Sequence, residues 1–154
     1  MEQQLFFVFG MGAPVVAALF AFFLARTINR RDPGTEVMQR IASLIRAGAM
    51  AFLRTEYTVL AGFVAVMFVI LALFLDQGLL IGLSFLVGAV LSATAGWIGM
   101  RTATGAAVRT TQAAKSSLAT ALRVAFSSGA VMGLTVVALG TIGIAGLYFA
   151  YGGL

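Results

Sequence analysis

The chain has 154 residues, of which 61% are hydrophobic and only 10% charged. A soluble domain carries about 25% charged residues, so an aqueous fold of this size is excluded and the bilayer has to act as the solvent. The formal charge of +5 then reports topology before nucleic-acid binding, the lack of Cys excludes disulfides and thiolate chemistry, and the lack of His removes the commonest general base and metal ligand.

The N-terminus turns apolar at Leu5 with no basic leader and no A-x-A site before a polar start. Residues 5–25 therefore read as an uncleaved first span. Gly10, Gly12 and Pro14 interrupt it, and they fit a kinked or late-starting helix better than an ion site. Ala17, Ala21 and Ala25 form a small-residue line suited to helix packing. The polar run RTINRRDP (residues 26–33) closes the span. Pro33-Gly34-Thr35 follows as a turn and N-cap, with Glu36 well placed at the positive end of the next helix. From there Val37, Ile41, Leu44, Ile45, Gly48 and Phe52 keep helical spacing, with Arg40 and Arg54 off the stripe. The pattern predicts a cytoplasmic amphipathic helix at the membrane surface, packed on its own bundle and running into a second span at 57–75.

Asp76-Gln77-Gly78 is a tight connection, so spans two and three form an antiparallel hairpin, with Asp76 a solvated turn residue. Residues 78–100 hold twenty-three positions without a charge, enough to cross a bilayer at about 1.5 Å per residue. Gly88, Ser92 and Gly96 recur every four residues, as do Gly99 and Ala103. That stripe makes the third span, 78–103, the expected packing centre of the bundle. Residues 101–123 carry four bases and no acid. Their Ala, Arg, Gln and Lys content extends the third helix past the membrane, and Ser116 or Ser117 caps the next one. A phosphate-binding patch is the sharper reading of these bases, and a positive-inside loop the plainer and preferred one. Residues 124–150 form the fourth span, in which Gly129 and Gly133 make a GxxxG pair and Gly140, Gly143 and Gly146 continue a small face.

All ten bases fall in two segments, six within 26–54 and four within 101–123. The positive-inside rule places the loops 26–56 and 104–123 in the cytoplasm and both termini outside. The acids are Glu2, Asp32, Glu36, Glu56 and Asp76, all at ends or in loops. Asp32 and Glu36 are spaced i,i+4, but Pro33-Gly34 breaks the helix that would align them. There is no phosphate loop of the GxxxxGK[ST] type and no His for a triad. No catalytic, cofactor-binding or metal-ligating residue is assigned to this chain. By its chemistry it reads as scaffold, or as part of something longer.

Three stretches carry a family resemblance. Residues 34–57, GTEVMQRIASLIRAGAMAFLRTEY, look like the first cytoplasmic loop of the membrane-bound, ion-pumping inorganic pyrophosphatases. Residues 88–111, GAVLSATAGWIGMRTATGAAVRTT, are similar to that family's third helix and its extension. Residues 121–133, ALRVAFSSGAVMG, resemble the start of its fourth helix. Each is a weak small-residue pattern alone, and the three in register are specific. Where the family commonly has an Arg and an Asn after its Gly-Met pair, this chain has Gly105 and Ala107.

The resemblance implies an all-α, polytopic membrane helix bundle: four transmembrane helices plus the cytoplasmic amphipathic helix, part of a sixteen-helix subunit in a homodimer. It implies diphosphate as substrate, hydrolysed with magnesium at the cytoplasmic face, coupled to outward pumping of protons or sodium, with potassium needed by some members. The family's acidic substrate motifs begin at its fifth helix, so none carries over to a residue here, and no cofactor is expected on this segment. Its partners would be the lipid bilayer and the remaining helices of the same chain, not nucleic acid. The small faces at Gly88, Gly96, Gly129 and Gly133 are the expected contacts with those inner helices. The competing reading is a stand-alone four-helix membrane scaffold or assembly subunit. A small oligomeric exporter is the weakest reading, because the spans hold no acid at membrane depth.

Overall fold

The computed structural model describes residues 2–152, with side chains from Gly10 onward. Expectations that touch the start at Met1 or the tail beyond Gly152 lie outside the described residues. Four α-helices account for nearly all of the described chain: α1 Glu2–Asn29, α2 Glu36–Phe74, α3 Gly78–Ala114 and α4 Leu118–Ala150. Each is long and apolar enough to cross a membrane.

Local chemistry sets the ends of these helices. Thr35 caps α2, its hydroxyl accepting from the Met38 amide, and Ser117 caps α4 by accepting from the Thr120 amide. Each hydroxyl satisfies one of the orphan donors of a first helical turn. Gly34 sits at φ +82°, a left-handed conformation that glycine adopts without penalty. Gln77 also takes a left-handed conformation, and the connection from Leu75 to Gly78 is closed by the Gly78 amide donating to the Leu75 carbonyl at 2.9 Å. Pro14 is accommodated within α1, which stays helical on both sides of it.

α3 is the packing centre, lying between α2 and α4, while α1 packs mainly on α4. α1 meets α3 only sparsely and does not pack on α2. The tightest seam runs along α4, where Ala121, Val124, Val131, Thr135 and Ala138 are buried. Their three-, four- and seven-residue spacing is that of a single helix face. Ile28 and Ala106 close around Val124 and Val131. The one polar member, Thr135, donates its hydroxyl to the Val131 carbonyl at 2.7 Å and so leaves no unmet donor in the seam.

Two expectations about faces need correction. The amphipathic stretch is not a separate surface helix: α2 runs unbroken for 39 residues, about 58 Å at 1.5 Å per residue, against an apolar core about 30 Å thick. Nor does its predicted stripe pack inward as a whole: Val37, Leu44 and Phe52 are exposed, while Ile41 and Ile45 only edge a groove against α3. The face turned towards α3 lies one residue over, through the partly covered Met38, Ala42 and Ala49 to the buried Leu53 and then Tyr57. Because the helix has no break, its register is inherited from the membrane half, where Phe68 lies against Gly82 of α3.

The small-residue stripe on α3 divides in the same way. Gly88 has open space around it, whereas Gly96 lies under the Tyr57 hydroxyl and Gly99 under the side chain of Met132. The glycines that hold close approaches between helices thus include Gly78, Gly82, Gly96 and Gly99 on α3 and Gly143 on α4, which faces Leu91. Gly129 and Gly133 also have open space, so that GxxxG pair faces away from these four helices.

Candidate functional site

The two basic segments, separate in sequence, come together at one end of the bundle. Arg109 is the centre of that meeting. Its Nη2 donates to the Asn29 carbonyl at 3.1 Å and its Nε to the Arg31 carbonyl at 3.2 Å. Its Nη1 donates to the Gly105 carbonyl, one turn back on α3, at 2.7 Å. Asn29 is the last residue of α1, whose final carbonyls have no partner within the helix. A guanidinium placed there supplies both donors and a charge that suits the negative helix end.

A second tie lies beside it. Asp32 accepts from the Gly34 amide through Oδ1 and from Gln112 Nε2 through Oδ2, both at 2.9 Å. Those two bonds, the Gly34 amide first, hold the Asp32 carboxyl below its ordinary pKa, because each favours the ionised form. Gln39 Nε2 donates to the Gly34 carbonyl at 2.8 Å and anchors the turn to the start of α2.

Beside these ties is a cleft of ≈ 700 Å³ between α1, α3 and α4. It exists because α1 and α3 both lean on α4 but hardly touch each other. Asn29, Arg46 and Arg109 line its polar end and Arg101 lines it two turns back on α3, with no Asp or Glu among the lining residues. The Arg46 guanidinium rests on Gly105: a β-carbon at that position would lie 3.1 Å from Arg46 Nη2 and 4.0 Å from Arg109 Nη1. The missing β-carbon at Gly105 thus makes room for a second arginine. Arg101 stands 5.1 Å over the Trp97 ring, a cation–π arrangement. Away from the arginines the walls are apolar, formed by residues such as Ala21, Phe22, Ala25, Val131 and Leu139.

Asp32 and Glu36 are drawn to different tasks, one bridging to α3 and the other opening α2. Among the described residues no group of three or more His, Cys, Asp or Glu comes together to hold a metal. The four acids with described side chains are dispersed, and Asp32 already has both oxygens engaged. The residues present do not fit the magnesium ion that the family resemblance implies. Arg109 was noted only as one of the four bases of 101–123, and Arg46 and the convergence of the two escaped the sequence reading, because their partners are backbone carbonyls and a glycine face. The sole signal available was the excess of arginine over carboxylate in the two basic segments.

The fold and its basic end define a multi-pass, α-helical membrane protein. The chain belongs to the inorganic H+ pyrophosphatase family, whose model matches residues 15–153. It is 48% identical over 151 residues to a putative K(+)-stimulated pyrophosphate-energized sodium pump of Clostridium tetani, covering 98% of this chain and 22% of that protein. It is 42% identical over 139 residues to a K(+)-insensitive pyrophosphate-energized proton pump of Moorella thermoacetica, covering 90% of this chain and 20% of the relative. A K(+)-stimulated pyrophosphate-energized sodium pump of Thermotoga maritima is 38% identical over 141 residues, covering 90% of the chain and 19% of the relative. The chain spans about one fifth of the length of these relatives.

Proposed function

We propose that this chain supplies the N-terminal, outer and non-catalytic helices of a membrane pyrophosphatase. The full protein would hydrolyse diphosphate at the cytoplasmic face, with magnesium, and couple that reaction to outward pumping of protons or sodium. The observation that carries the reading is the family match over residues 15–153 by a chain one fifth the length of its pump relatives. The dispersal of the acids supports the non-catalytic part, since phosphoryl chemistry needs clustered charge around metal and substrate. The work of these helices is then to brace the catalytic helices and screen them from lipid, as half of a homodimer of sixteen-helix subunits. The exposed small faces at Gly88, Gly129 and Gly133 are suited to those contacts.

In this reading the loops 26–56 and 104–123 lie in the cytoplasm and the spans run at about 5–25, 57–75, 78–103 and 124–150. The concentration of bases at one end of the bundle supports that orientation. The relatives' names differ over potassium and over the pumped ion, so both properties are left to assay. The test is the full-length protein in inverted membrane vesicles given diphosphate. Phosphate release together with proton or sodium uptake is expected, and absence of diphosphate hydrolysis would overturn the reading. For topology, with any cysteines outside these 154 residues replaced, Asp76→Cys should react with an impermeant thiol reagent from outside and Ser116→Cys should not.

A further inference from the structure

We propose that the cleft between α1, α3 and α4 is a binding site for an anionic phospholipid, with the phosphate among Arg46, Arg101 and Arg109 and an acyl chain along the α1–α4 wall. The inference needs the membrane setting, not the pump reading.

The first argument is charge. Arg46 and Arg109 stand on the same glycine with no carboxylate among the residues that line the cleft. Two like charges so placed repel, and an anion between them relieves the repulsion. Arg109 is committed to three backbone carbonyls and therefore fixed in place. A planar guanidinium held in this way is a ready partner for phosphate oxygens.

The second argument is direction. The polar end lies where α1 finishes, at Asn29, and the walls recede from it together: back along α1 to Ala18, back along α3 to Trp97, and forward along α4 to Leu139. All three leave the basic end and enter the apolar belt. The occupant must then carry its negative charge at one end and an apolar tail about 16 Å long, the rise of α1 between Ala18 and Asn29. Free phosphate matches only the first requirement. Anionic leaflets attract basic groups near the surface.

The experiment uses the full-length protein, delipidated in detergent and then titrated with phosphatidylglycerol or phosphatidylcholine while bound lipid is counted by native mass spectrometry. Phosphatidylglycerol should be retained in clear preference to phosphatidylcholine. Arg46→Gln with Arg101→Gln should weaken it about tenfold, and Arg46→Lys with Arg101→Lys should restore much of the loss. Ala25→Phe, which fills the apolar wall and leaves the arginines alone, should also weaken it, and inorganic phosphate at equal concentration should not compete. Equal retention of the two lipids by the wild type, or unchanged phosphatidylglycerol binding in the double glutamine variant, overturns the proposal. So does competition by inorganic phosphate with Ala25→Phe silent, which would make the cleft a plain anion site. A preparation that binds the lipid but releases no phosphate from diphosphate would sink the proposed function and leave this site standing.

Discussion

α3 is held on its two sides by different means. Towards α4 it meets a continuous buried line, with Val124 and Val131 each 1% exposed. Towards α2 it meets one buried side chain, Leu53, a Tyr57 hydroxyl bonded to the Ala93 carbonyl, and three close glycine approaches at Gly78, Gly82 and Gly96. In lipid there is no hydrophobic driving force between helices, so packing and hydrogen bonds have to hold both seams. The α4 seam spreads its contacts over many residues. The α2 seam concentrates them in a few, and each of those few should matter more.

The largest effect should come from Gly78→Ala. Its β-carbon would press on the Leu71 and Ala72 carbonyls, backbone atoms that cannot turn aside. Overpacking of this kind costs about 3 kcal/mol or more, seen as a sharp drop in the thermal midpoint of the detergent-solubilised protein. An unchanged midpoint would show that the α2–α3 turn is looser than described. Next is Gly96→Leu, which displaces the Tyr57 hydroxyl 2.9 Å away and should cost about 1–3 kcal/mol. Tyr57→Phe in the same background should then add almost nothing, because the bond is already lost.

Val131→Ala probes the other seam. Loss of two methyl-sized groups from a close-packed site should cost about 1–2 kcal/mol, while Val66→Ala on the exposed face of α2 should stay within about 0.5 kcal/mol. Equal losses at the two sites would erase the contrast drawn here. The smallest effect concerns Asp32. Its folded pKa is lowered, so its contribution is present above the ordinary aspartate value of about 3.9 and fades as pH falls through the lower folded value. Asp32→Asn should therefore lower the midpoint slightly at neutral pH and flatten its acid limb, the gap to wild type closing as pH falls below about 4.

Much of the helix arrangement was legible because its signals are local. Thr35, Ser117 and the Asp76-Gln77-Gly78 turn announce themselves by residue type within a few positions, and the spans by unbroken apolar runs. What the sequence hid was rotation about the helix axis. In α2 the stripe through Val37 and Leu44 is as apolar as the one through Met38 and Leu53, so composition cannot choose between them. Continuity with the membrane half makes the choice. The arginine cleft was hidden for another reason. Arg109 is bonded to carbonyls near position 30, and every residue has a carbonyl, so no side-chain pattern could point there. The bases of 101–123 were noticed, but the convergence of Arg46 with them needs three dimensions.

The unbroken length of α2 has a mechanical meaning. A joint at the membrane surface would let the two halves of the helix swing separately, and residues 36–74 contain none. A tilt of about 10° in a rod of about 58 Å carries its far end through about 10 Å. Whatever leans on the lipid half of this helix is therefore felt, as a displacement of side-chain size, at Arg46 and the turn that Asp32 holds.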